Sequence, residues 1–138
     1  MPTNVEIVRA ALEAFGRGDI PALLAMCDEN VAVRLRGNKT IPFAGDWTGK
    51  AGVTEYFRIV GATFDVLKWE PQRDIASGDR VAAFGSMDVK ARATGQLIVG
   101  SDWALDFTVA SGKITGWQVY MDTGALEKAL AAASKAAV

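Results

Sequence analysis

The chain reads as an α+β fold, a curved antiparallel sheet wrapped by three N-terminal helices, and three observations lead there. Up to Gly61 most apolar residues recur at helical spacing, whereas from Phe64 to Asp122 the period is that of strands. The clearest strand signal is Trp103–Leu126, WALDFTVASGKITGWQVYMDTGAL: Trp103, Leu105, Phe107 and Val109 alternate with polar or small residues, a Ser111-Gly112-Lys113 turn follows, and Thr115, Trp117, Val119 and Met121 then share a face. Helices kept apart from a strand meander define the α+β class, because one side of a bent sheet has to be covered by them. A chain of 138 residues, 50% hydrophobic and 22% charged, suits one domain spanning residues 1–138.

The elements follow in order. Thr3 caps a first helix with Glu6 closing the capping box, Val5, Val8, Leu12 and Phe15 form its apolar stripe, and Gly16 and Gly18 end it. Asp19 caps a second helix with Pro21 in its first turn and Ile20, Leu23, Leu24 and Met26 on its apolar face. Val31 to Arg36 alternates as a half-buried strand. GNKTIPFAGDWTG (37–49) is rich in turn formers and reads as a loop whose Ile41, Phe43 and Trp47 fold back onto the body. A third helix from Thr48 or Gly49 carries Val53, Phe57 and Val60 and stops at Gly61. Four strands come next: Phe64–Glu70, interrupted by Pro71 and resumed over Gln72–Ile75, then Arg80–Arg92, Leu97–Val109 and Ile114–Met121. Asp122-Thr123 begins a closing helix with Leu126 and Leu130.

Composition excludes much chemistry. The net charge is -1 with scattered cations, so nothing marks a nucleic-acid or anionic-membrane surface. No apolar run approaches the roughly 20 residues of a membrane span, and MPTNVEIVRA lacks a signal-peptide core, so the expected location is cytoplasmic. With no histidine there is no imidazole base and no histidine-containing metal site. The lone Cys27 reads as a packed side chain, which leaves Asp, Glu, Lys and Tyr as the main proton carriers. No metal or organic cofactor is implied.

The element order, the Gly18-Asp19 joint, Trp47-Thr48-Gly49-Lys50 before the third helix and GKITGWQVYMDTGAL near the end together resemble the SnoaL-like proteins of the nuclear transport factor 2-like superfamily. The resemblance covers residues 4–130 and implies a cystatin-like cone with an internal pocket, and a homodimer formed through the outer sheet face around Gln118, Tyr120 and Leu97–Asp106. It does not imply one activity, since the superfamily includes ketosteroid isomerase, limonene epoxide hydrolase and polyketide cyclases. The hydrolase comparison places its Asp-Arg-Asp set at Asp88, Ser86 and Val119, and its water-positioning Tyr and Asn at Ala32 and Arg34. Only Asp88 is kept. The isomerase comparison places the proton-shuttling Asp at Arg34 and the oxyanion-hole Tyr near Ala11, and a guanidinium does not shuttle protons near neutral pH.

The same register offers Arg34 and Asp88 as a new catalytic pair inside the cone, an ion pair in an apolar setting, with Arg34 or Lys90 stabilising negative charge. Trp47, Phe57, Ser86, Lys90, Trp103, Trp117, Val119 and Met121 are the matching substrate-binding set. Alternation leaves both facings of the strands open, since Phe84, Ser86, Asp88 and Lys90 suit the interior about as well as Ala83, Gly85, Met87 and Val89. Two functions stay in contention: a cofactor-independent enzyme acting on a small apolar carbonyl-type substrate, and a non-catalytic binding or interaction module that has lost the family's catalytic residues.

Overall fold

The computed structural model describes residues 2–136, with side chains to residue 131. Its elements are α1 (Asn4–Gly16), α2 (Ile20–Ala25), β1 (Cys27–Leu35), β2 (Gly45–Thr48), α3 (Gly49–Thr63), β3 (Phe64–Ser77), β4 (Arg80–Ala91), β5 (Leu97–Ala110), β6 (Lys113–Met121) and α4 (Thr123–Ala136). The capping box at α1 is formed in both directions: Glu6 N donates to Thr3 Oγ1 at 3.1 Å and Thr3 N donates to Glu6 Oε1 at 3.2 Å. Asp19 Oδ1 accepts from Ala22 N at 3.1 Å, so α2 begins where its cap residue stands. No described helix is long and apolar enough to cross a membrane.

The strands form one curved, unclosed six-stranded sheet in the order β2-β1-β6-β5-β4-β3. All neighbours are antiparallel except β1 and β6, which run parallel. Two departures from the sequence reading stand out. The loop 37–49 contains the short strand β2, held to β1 through Val33 opposite Trp47, while Ile41 and Phe43 are buried as expected. Pro71 does not interrupt β3, because β3 is the sheet edge and an edge strand loses no essential ladder bond to a missing N–H.

Bulges decide which side chains enter the concave side. In β3, Phe64 faces Ala91, Val66 faces Val89 and Trp69 faces Met87, with Leu67 left unpaired between them. That extra residue reverses the alternation, turning Lys68 outward and Trp69 inward. In β5, Val99 and Gly100 fall in a second irregularity, where Gly100 takes the left-handed conformation at φ +65°. In β6, Thr115 is the bulged residue opposite Thr108 and Val109. The buried face there continues through Ile114, and Thr115 itself stays half-buried, outside the shared face expected of it.

α1 lies against β3 and β4, and α3 against β1 and β2. Together they close the concave face over Val8, Ala11, Leu12, Val53 and Tyr56, all buried.

Candidate functional site

The concave side holds a partly open cavity of about 90 Å³. β5 contributes Trp103, Leu105 and Phe107, β6 contributes Trp117, Val119 and Met121, and β3 and β4 contribute Val66, Trp69, Met87 and Val89. The helices close it with Leu12, Phe15, Leu23, Tyr56 and Phe57 among others. The indoles of Trp69 and Trp103 stack with centroids 4.3 Å apart and planes 7° from parallel. Gly85 makes that stack fit, since a Cβ there would overlap the Glu70 carbonyl oxygen and the Trp103 ring. Trp69 Nε1 donates to the Leu12 carbonyl at 3.2 Å, tying the stack to α1. Trp103 is 3% exposed, and its Nε1 is buried with no hydrogen-bond partner.

Of the residues expected at the site, Phe57, Trp103, Trp117, Val119 and Met121 line this cavity. The others do not, and the Arg34–Asp88 pair is not formed. β4 turns Val81, Ala83, Met87 and Val89 inward, all buried, and leaves Ser86, Asp88 and Lys90 on the outer face. There Asp88 Oδ1 accepts from Gly100 N at 2.7 Å, which fastens the β5 irregularity. Ser86 Oγ accepts from Gln72 Nε2 at 3.4 Å, and Lys90 sits opposite Asp65. Arg34 also faces outward on β1, between the buried Val33 and Leu35, and binds Asp46 of β2 at 2.6 Å. Trp47 stands behind the cavity wall, donating to the Phe43 carbonyl at 3.0 Å and packing on Tyr56 at 6.2 Å. The physical reason for the β4 facing is volume. Two indoles lean across β4 from its neighbours, so its inner face has room for Ala83 and Gly85 and none for a charged side chain with its water.

Among the lining residues that escaped the sequence reading, Trp69 and Tyr56 are the most informative. Trp69 was hidden by the Leu67 bulge, although a glycine inside a strand, Gly85, was a signal of close approach by a neighbour. Tyr56 lies three residues after Val53 on the buried stripe of α3, a spacing the sequence does show.

The cavity is poor in proton carriers. Tyr56 is the one ionisable side chain lining it, and burial pushes its phenol far above the ordinary range, keeping it neutral. Cys27 lies outside the lining, its thiol 3.4 Å from the Leu23 carbonyl and pushed up to about 11 by burial. Among the described residues no group of three or more His, Cys, Asp or Glu is placed to hold a metal ion. Beside the cavity a wider recess of about 340 Å³ shares Phe15, Phe57, Val60, Phe64, Val66 and Trp69 with it and is bordered by Gly16, Gly18, Lys68 and Arg92. Arg92 there is held by Asp65 at 2.6 Å and donates to the Gly61 carbonyl at 2.6 Å.

Comparison with known proteins agrees with this architecture. The SnoaL-like domain model matches residues 8–117, and the chain belongs to that family, within the nuclear transport factor 2-like (NTF2-like) superfamily. An NTF2-like protein from Burkholderia xenovorans LB400 is 31% identical over 92% of this chain and 95% of its own, with a TM-score of 0.81. An NTF2-like protein from Burkholderia thailandensis E264 is 23% identical over 94% of this chain and 98% of its own, with a TM-score of 0.84. TerC, crystallised with polyporic acid, is 24% identical over 93% of this chain and 98% of its own, with a TM-score of 0.80. The last two show likeness of fold alone. A comparison with curated proteins found no match.

Proposed function

We propose that this SnoaL-like protein binds a small, largely apolar molecule inside the cone and performs no carboxylate-based acid–base chemistry there. The observation that carries this reading is the lining. Aromatic and aliphatic side chains surround the space, and both residues once paired as base and charge stabiliser, Asp88 and Arg34, face the other way. A general acid or base must come within hydrogen-bond reach of its substrate, and neither can. The volume supports a small guest. A dry apolar cavity of about 150 Å³ accommodates benzene and substrate pockets commonly exceed about 300 Å³, so about 90 Å³ suits a single ring with modest adjustment of the walls.

A thermal-shift screen of one-ring aromatics, monoterpenoids and short fatty acids tests this. A guest at about 100 times its Kd stabilises the fold by about 2.7 kcal/mol, a readily measured rise in Tm. The rise should vanish in a Val119→Phe variant that fills the cavity. No shift from any compound removes the binding reading, and exchange of a bound ketone's α-protons with D2O above the buffer rate removes the non-catalytic one.

The outer face supports a second copy of the chain as partner: Leu97 and Tyr120 are each 51% exposed there, beside Val99 in the β5 irregularity at 73%.

A further inference from the structure

Two of the other indoles in this protein have their N–H satisfied by main-chain carbonyls, Trp47 by Phe43 and Trp69 by Leu12. Trp103 differs. Its Nε1–H is buried, without a partner, on a residue that walls the cavity. A native fold rarely leaves a buried donor unmade, and each instance calls for a reason. Packing supplies none, because the stack on Trp69 and the room over Gly85 would serve a hydrocarbon ring equally well. The same cavity is lined by Tyr56, whose phenol burial keeps neutral. It holds no lysine or arginine, so an anionic group would give up its water there with no counter-charge in return.

We infer that the cavity's ligand is uncharged and carries a hydrogen-bond acceptor, a carbonyl or ether oxygen on a ring-sized apolar body, to which Trp103 Nε1–H donates once the wall beside it shifts to admit the oxygen. The inference rests on the binding reading above and adds the ligand's chemical class and its anchoring atom. The Tyr56 phenol is a second donor to the same kind of oxygen, and its burial keeps its proton in place at any physiological pH.

Three probes of nearly equal shape separate the outcomes: acetophenone, its hydrocarbon counterpart α-methylstyrene, and benzoate. Dissociation constants are measured by NMR titration of the wild-type protein and of Trp103→Phe. Acetophenone should bind the wild type and lose about tenfold in affinity in Trp103→Phe, while α-methylstyrene changes less than twofold and benzoate binds neither. In the wild type alone, the Trp103 indole N–H resonance should move downfield with acetophenone and not with α-methylstyrene, a readout that does not need the variant to fold. If both neutral probes enter the cavity but the indole resonance and the variant fail to discriminate them, the donor role is overturned and the binding reading stands. Benzoate binding as tightly as acetophenone overturns the requirement for an uncharged ligand. If neither neutral probe enters the cavity, the binding reading itself falls.

Discussion

The two faces of the sheet are built from alternate residues of the same strands, yet they satisfy their polar groups in opposite ways. On the outer face, Arg80 pairs with Asp106, Lys68 with Glu70 at 2.7 Å, Arg92 with Asp65 at 2.6 Å and Arg34 with Asp46 at 2.6 Å. Asp88 is bound to a backbone amide there. The inner face has no charge pairs at all among its cavity-lining residues, and one of its donors, Trp103 Nε1–H, is left unmatched. Charged groups concentrate where water shares their solvation, and the wet face carries many of them at little cost. The dry face tolerates few polar atoms, so each one there counts. The search for chemistry therefore belongs to the few donors on the inside, the buried Trp103 Nε1–H first among them, and not to the many paired charges on the outside.

The contrast can be broken most forcefully at the indole stack. Trp69→Ala removes a half-buried ring packed against the core together with the bond to Leu12, and should cost about 3 kcal/mol in urea denaturation. Gly85→Ala strikes the same stack by overpacking and should cost about 1–3 kcal/mol. A neutral result for both would show that the inner wall is not held by this stack.

A smaller effect is expected at Asp88. Asp88→Ala frees the Gly100 amide and should cost about 1 kcal/mol, whereas Asp88→Asn keeps an acceptor oxygen and should cost less than half of that. Neither should change the affinity of a cavity ligand. A loss of affinity in Asp88→Asn would return this carboxylate to the site and erase the distinction between the faces.

The smallest effect on the fold is expected at Tyr120. Tyr120→Lys should leave the urea midpoint unchanged and weaken self-association through the outer face, read by sedimentation equilibrium at micromolar concentration. A wild-type protein that is already monomeric under those conditions removes the second copy from that surface.

Much of the fold was legible from residues alone. Thr3 with Glu6, Asp19 with Pro21, and the glycines after Phe15 mark the helix boundaries through local hydrogen bonding and backbone preference, which act over a few residues. The inward facing of Trp103, Leu105, Phe107, Trp117, Val119 and Met121 was likewise legible, because large apolar groups alternate there with polar or small ones. Val119 lines the cavity, an apolar wall at the position where the hydrolase resemblance led to the expectation of a carboxylate. For β4 the same rule is weaker, since the inward set includes the small Ala83 and Gly85 while the outer face carries the large apolar Phe84 among its polar residues.

Sequence by itself determined the order of every element but β2, the apolar wall of β5 and β6, and the absence of any imidazole, because capping, alternation and composition are properties of neighbouring residues. Tertiary structure decided where Asp88, Arg34, Ser86 and Lys90 point, brought Trp69 onto Trp103, and left one fully buried indole N–H without a partner. Those outcomes depend on counting residues across a bulge and on how much volume strands far apart in the chain leave for one another. Residue 85 is a glycine because the Trp103 indole of β5 and the Glu70 carbonyl of β3 occupy the space a side chain there would need.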